Sequence, residues 1–281
     1  MKNDQFLDRQ TIRLHYLDYA GGEPPILLLH GWTANAHAFD GLIQAGLSPR
    51  FRCLALDLRG RGLSDSPETG YSLQEHADDV IALMDAQGLE SAVVLGHSYG
   101  GFLAAYLGAF YPERVRRVIM IESAGTIHPR NLELLEKAVG GLDKPISSWE
   151  TYLGNIKQAP HFANWWDPAI EAYYRAGVQD NADGTVLSRT RPVVLAESLS
   201  KTRAEDWCAI LSQVSQPLLV LHALGPYGVP GTPPIVTTDM ADATVACAPN
   251  ARAAVIPGNH LTMLYGENAR AIVAEIVEFL G

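Results

Sequence analysis

Residues 92–105 read Ala92-Val93-Val94-Leu95-Gly96-His97-Ser98-Tyr99-Gly100-Gly101-Phe102-Leu103-Ala104-Ala105, and this stretch decides the fold. An apolar run, Ala92–Leu95, passes directly into Gly96-His97-Ser98-Tyr99-Gly100 and then into a helical pattern over Gly101–Tyr111. A G-x-S-x-G placed between a strand and a helix is a nucleophile elbow. Its glycines remove side chains that would clash in a sharp turn, and the serine is held strained with its hydroxyl exposed. The helix start behind it favours developing negative charge.

Outward from this motif, short apolar runs recur: Ile26–Leu29, Cys53–Leu56, Val118–Ile121, Leu218–Leu221 and Ala253–Ile256. Bounded by Gly, Pro or charge, they suit strands of a parallel sheet buried on both faces. Thr11–Tyr19 alternates in character and predicts an exposed edge strand. Helical patterns over Ser72–Gln87, Gly101–Tyr111 and Asn268–Leu280 separate several strands. Such alternation implies an α/β protein with a doubly wound, mostly parallel sheet. From His128 to Trp207 no strand is predicted and aromatic residues crowd together. The expected organisation is a core of residues 1–127 and 208–281 carrying a helical lid insertion, 128–207. A lid over the sheet's C-terminal edge lies where open α/β sheets hold ligands, and it nominates Trp149, Tyr152, Trp165 and Trp166 as pocket residues.

Composition narrows the partners. The chain has 281 residues, 47% hydrophobic and 19% charged, with a formal net charge of −10. That charge disfavours nucleic acid and anionic membrane, which repel it. No apolar run reaches the roughly 18 residues that span a bilayer, and the N-terminus has no signal-peptide pattern. Cys53, Cys208 and Cys247 are far apart, which argues against a disulfide framework or a zinc site and fits a reducing, cytoplasmic location. No ligand-spaced cluster or Gly-rich phosphate loop implies a metal or cofactor. The expected partner is a small-molecule substrate; oligomeric state is not encoded legibly.

A serine hydroxyl needs a base to take its proton. His260 follows Ala253–Ile256 through Pro257-Gly258-Asn259, which places it on a loop at the same sheet edge as Ser98. His97 adjoins the serine but should diverge from it on a sharp turn. His30 ends a strand and should brace the following loop, and His222, at another strand end, is a weaker rival.

Four ordered motifs together resemble the α/β-hydrolase superfamily over nearly the whole chain. They are His30-Gly31-Trp32, Asp57-Leu58-Arg59-Gly60-Arg61-Gly62-Leu63-Ser64-Asp65, Gly96-His97-Ser98-Tyr99-Gly100 and Pro257-Gly258-Asn259-His260. The resemblance implies that the backbone N–H groups of Trp32 and Tyr99 form the oxyanion hole. The Asp57–Asp65 segment reads as structural, with Asp57 and Arg59 pinning a tight loop. One feature departs from the commonest pattern. Past Leu218–Leu221, where many relatives carry the triad acid, the sequence His222-Ala223-Leu224-Gly225-Pro226-Tyr227-Gly228 has no carboxylate. Asp239 and Asp242 lie well downstream on an expected helix. Glu122, ending Val118–Ile121, is the better candidate. Haloalkane dehalogenases, some lactonases and an acetamidomethylenesuccinate hydrolase resemble this arrangement.

Ser98, His260 and Glu122 therefore point to acyl transfer to water, with a carboxylic ester or lactone first, and the aromatic lid suggests a hydrophobic or aromatic acyl or leaving group. An amide or a C–C bond comes next, since the same machinery cleaves those on similar scaffolds. Cofactor-independent dioxygenases of this fold use a histidine–acid dyad, here His260–Glu122, and form a separate class. A non-catalytic scaffold is a third.

Overall fold

The computed structural model describes residues 2–9, 11–163 and 165–281. The strands are β1 (Lys2–Arg9), β2 (Ile12–Tyr19), β3 (Ile26–Leu29), β4 (Cys53–Leu56), β5 (Ala92–His97), β6 (Val115–Ile121), β7 (Val178–Asp180), β8 (Val186–Ser188), β9 (Leu218–Ala223) and β10 (Ala251–Ile256). Eight of them form one sheet in the order β1-β2-β4-β3-β5-β6-β9-β10. Pairing is antiparallel for β1 with β2 and for β2 with β4, and parallel elsewhere in the sheet.

Strand alternation sends successive side chains to opposite faces. Leu27, Leu29, Leu54, Leu56 and Val94 enter one core with Val80, Leu83 and Met84 of the helix Leu73–Ala86 and Leu103 of the helix Tyr99–Phe110. Ile26, Leu28, Ala55, Val93 and Leu95 enter the other, against Ile272 and Ile276 of the helix Gly266–Leu280. Each fully buried leucine or isoleucine contributes roughly 1.5–3 kcal/mol, so the doubly covered centre is the stable frame. Ser72 and Glu75 form a reciprocal capping box that starts the helix Leu73–Ala86.

Two local expectations are corrected. β2 is not the edge: β1, with its charged residues, pairs with it over the full length and takes the outer position. Charge suits an edge because it discourages further pairing. The segment 128–207 is also not purely helical. It holds the helices Pro129–Val139, Trp149–Lys157, Pro168–Ala176 and Pro192–Arg203, but β7 and β8 form a separate antiparallel hairpin there, joined by Ile146 at Val186. Three-residue strands leave too little alternation to be seen in sequence.

Cysteine chemistry differs as well. Cys208 and Cys247 form a disulfide, while Cys53 is free and buried. The two lie 39 residues apart in sequence, and only the packing of the helix Trp207–Leu211 against the helix Thr238–Cys247 brings them together. The cysteine argument for a reducing compartment is thereby removed. No helix among the described residues is long and apolar enough to cross a membrane.

Candidate active site

Register places the site. His97 is level with Ile121, and Ile121 with Leu221, so β5, β6 and β9 finish side by side. The ladder continues one residue further: Ser98 N–H donates to the Ile121 carbonyl at 2.8 Å, and Glu122 N–H donates to the Leu221 carbonyl at 2.8 Å. Both residues then turn sharply. Ser98 has φ 54° and Glu122 φ 51°, and these are the positive-φ non-glycine residues of the described chain. Such conformations cost about 1–3 kcal/mol each and persist where the surroundings fix them. At Ser98 the turn depends on glycine at two neighbours. A Cβ on Gly96 would overlap the Gly100 carbonyl, and one on Gly100 would overlap the Leu29 carbonyl.

The helix Tyr99–Phe110 begins two residues earlier than its sequence pattern suggests, so Ser98 itself stands at its N-terminal boundary. Across from it, Gly31 lies so close that a Cβ there would sit 3.6 Å from Ser98 Oγ. The backbone N–H groups of Trp32 and Tyr99 flank this point, and neither donates a hydrogen bond among the described residues. Two free amides beside a hydroxyl can receive an oxyanion.

His260 Nδ1 lies 3.0 Å from Glu122 Oε2. The other carboxylate oxygen accepts from Ala223 N–H at 2.7 Å. Burial pushes the Glu122 carboxyl up to about 8, opposed by the Ala223 amide and by His222. Burial likewise lowers His260 to about 4, which keeps the imidazole neutral at neutral pH. Nδ1–H given to a carboxylate leaves Nε2 with a free lone pair, the form a general base needs. Asp239 and Asp242 are exposed on the helix Thr238–Cys247 and do not line the cavity.

His97 lines the same cavity as Ser98, and it does something its sequence position did not disclose. Its Nε2–H donates to the His260 carbonyl at 2.8 Å, and the two rings lie 4.7 Å apart. His97 thus holds the loop that carries His260. His30 braces the loop after β4, its Nε2 accepting from Leu58 N–H at 3.0 Å. Asp57 and Arg59 stabilise the 57–65 loop through partners other than each other. Asp57 accepts from His15 Nδ1 and from the amides of Ala36 and Leu63, while Arg59 pairs with Asp79 at 2.6 Å.

Ser98, Glu122 and His260 all face one cavity of about 370 Å³. The sheet edge gives it Gly31, Trp32 and His97, and residues 128–207 give it Leu134, Leu135, Tyr152, Tyr173, Tyr174 and Val186. Of the four aromatic residues expected at the pocket, Tyr152 lines it. Trp149, Trp165 and Trp166 do not. Trp149 packs behind Tyr152 with its ring 5.8 Å away and Arg175 over its face, and Trp166 packs on Phe162 beneath Lys157. The indoles of Trp149 and Trp166 are spent on the segment's own packing, while Trp165 lies against Gly266, 3.7 Å from where a Cβ there would sit. Tyr173, Tyr174 and Tyr227 line the cavity in their place. The available signal for the first two was a Tyr-Tyr pair in the same aromatic-rich stretch.

A strand-end serine, histidine and acid around an apolar cavity, on this sheet, define a class, and the comparisons agree. A family model described as the alpha/beta hydrolase fold matches residues 24–223. The chain belongs to the α/β-hydrolase family. It is 31% identical over 227 residues to the 2-(acetamidomethylene)succinate hydrolase of Mesorhizobium japonicum, covering 78% of each chain. It is 25% identical over 235 residues to a bifunctional esterase/perhydrolase of Acinetobacter calcoaceticus, covering 76% of this chain and 79% of the other. Among solved structures, an E-2-(acetamidomethylene)succinate hydrolase superposes with a TM-score of 0.86 at 26% identity, covering 100% and 99% of the two chains.

Proposed function

We propose that this enzyme hydrolyses a small carboxylic ester or lactone through an acyl-enzyme on Ser98, with His260 as general base and Glu122 as the acid of the triad. The observation that carries the reading is the Glu122–His260 contact of 3.0 Å, on the cavity that Ser98 also lines. Ser98 Oγ attacks the carbonyl carbon as its proton passes to His260 Nε2. Collapse of the tetrahedral intermediate breaks the bond to the leaving group, which takes that proton. Water then gives a proton to His260 and its oxygen to the acyl carbon, and the acid departs as Ser98 recovers its hydrogen. The Trp32 and Tyr99 amides hold the oxyanion in both halves, each lowering the barrier by about 3 kcal/mol. Residues 128–207 act as a lid that limits water at the acyl group.

Amide cleavage is the second reading, favoured by the Mesorhizobium japonicum relative, whose name gives an acetamido compound as what it hydrolyses. A screen of esters, lactones and amides with an oxygen electrode in the same vessel tests both. Acid release without oxygen uptake is expected. Oxygen uptake with no acid released from any of the three classes would replace hydrolysis by a dioxygenase using the His260–Glu122 dyad.

A further inference from the structure

The cavity holds more hydrogen-bond donors than hydrolysis itself uses. Tyr152, Tyr173, Tyr174 and Tyr227 all line it. Tyr173 and Tyr174 lie 4.8 Å apart by ring centroids, Tyr152 and Tyr174 6.1 Å apart, and Tyr227 sits 5.3 Å from His260. None of the four hydroxyls has a hydrogen-bond partner among the described residues, and none is closed off from water. The Tyr265 hydroxyl, by contrast, is both unpartnered and sealed. Burial first, and neighbouring phenols next, push Tyr173 and Tyr174 well up, while burial takes Tyr152 and Tyr227 to about 12. At neutral pH all four therefore remain O–H donors.

Carboxylates are scarce by comparison. The one carboxylate lining the cavity, Glu122, is engaged by His260 and the Ala223 amide. The one cationic side chain among the lining residues, Lys144, has no ion pair among the described residues. Four neutral hydroxyls able to donate in a largely apolar cavity, with the exposed Lys144 also on its lining, suit a group that accepts at several positions. An ionised carboxylate is that group: two oxygens with about four lone-pair positions and no hydrogen to give. A hydrocarbon end would displace the water that reaches these hydroxyls and leave them unmatched, which is costly.

We propose that these four tyrosines, with Lys144, form a carboxylate-binding subsite. The substrate is then an ester, lactone or amide that keeps a free carboxylate away from its scissile carbonyl. This rests on the hydrolase reading and specifies its substrate class.

Binding tests it without turnover. On Ser98→Ala protein, calorimetry compares monoethyl glutarate with the neutral ester in which an isopropyl group replaces the carboxylate. The carboxylate ligand should bind at least about tenfold more tightly, the effect of one hydrogen bond to a charged group. In Ser98→Ala carrying Tyr152→Phe and Tyr174→Phe, which keep both rings, that ratio should fall about tenfold or more. Equal affinity for the two esters, or a ratio untouched by the Phe substitutions in folded protein, overturns the subsite. Fluorophosphonate labelling of the wild-type chain separates the two claims. Labelled Ser98 with no carboxylate preference removes the subsite and leaves the hydrolase. Absent labelling removes the hydrolase, and the binding ratio still judges the subsite.

Discussion

The sheet edge and the 128–207 segment build opposite walls of one cavity by different means. At the edge, Ser98 and Glu122 are fixed by backbone: each amide extends a β-ladder by one bond, and each residue turns at positive φ. In the inserted segment no lining residue belongs to the central sheet. Tyr152, Tyr173 and Tyr174 face the cavity because Trp149, Trp166 and Phe162 pack behind or beside them. The proposed function assigns chemistry to the wall whose geometry comes from strands, and selectivity to the wall whose geometry comes from packing.

Substitutions on the two walls should differ in size and kind. Ser98→Ala should have the largest effect, lowering kcat by about 10⁴-fold or more with unchanged circular dichroism, since the covalent step is lost. Glu122→Gln comes next. An amide can hold the wrong tautomer of His260, so kcat should fall by roughly 10²- to 10⁴-fold, while Asp239→Asn and Asp242→Asn change it less than about twofold. The reverse ranking would move the acid to the loop after β9.

The same pair sets a pH dependence. Burial raises Glu122 to about 8 and depresses His260 to about 4, so the two hold one proton between them over that interval. Catalysis needs the form with Nδ1–H donated to an ionised carboxylate. Added acid neutralises Glu122 or charges His260, and either loses the free Nε2 lone pair. kcat/KM should therefore climb as pH rises through a limb between about 4 and 8, approaching tenfold per unit at its acid end. A flat profile over this range would break the assignment.

Effects on the other wall are smaller. Trp166→Ala should lower thermal stability by about 1–3 kcal/mol, as a half-buried indole is lost, and change kcat less than about tenfold. Equal losses from Trp166→Ala and Glu122→Gln would erase the distinction between the walls. Reducing the Cys208–Cys247 disulfide should touch turnover least. Unfolding under reducing conditions should show a loss of about 2–4 kcal/mol, with activity at low temperature nearly unchanged.

How much the sequence disclosed follows the same division. Ser98, His260 and Glu122 could be located because each lies just past a strand, and a strand end fixes where a side chain emerges. Glu122 stood out because residues 222–228 hold no carboxylate. The pocket aromatics could not be sorted, since a tryptophan in the cavity and one packed behind it have the same sequence signal. Trp149 and Tyr152 share one helix and differ only in which neighbours they meet. β1 was hidden by its charge, β7 and β8 by their shortness, and the disulfide by its 39-residue separation. The bond from His97 to the His260 carbonyl joins residues 163 apart, a distance no local pattern spans.

Mass mapping of the fluorophosphonate-treated protein tests the central claim most directly. The adduct should lie on the peptide containing Ser98, at one per chain, and should be absent from Ser98→Ala. Labelling should also slow in Glu122→Gln, because the same base activates the hydroxyl. An adduct on another serine, or full turnover by Ser98→Ala, would contradict the acyl-enzyme account.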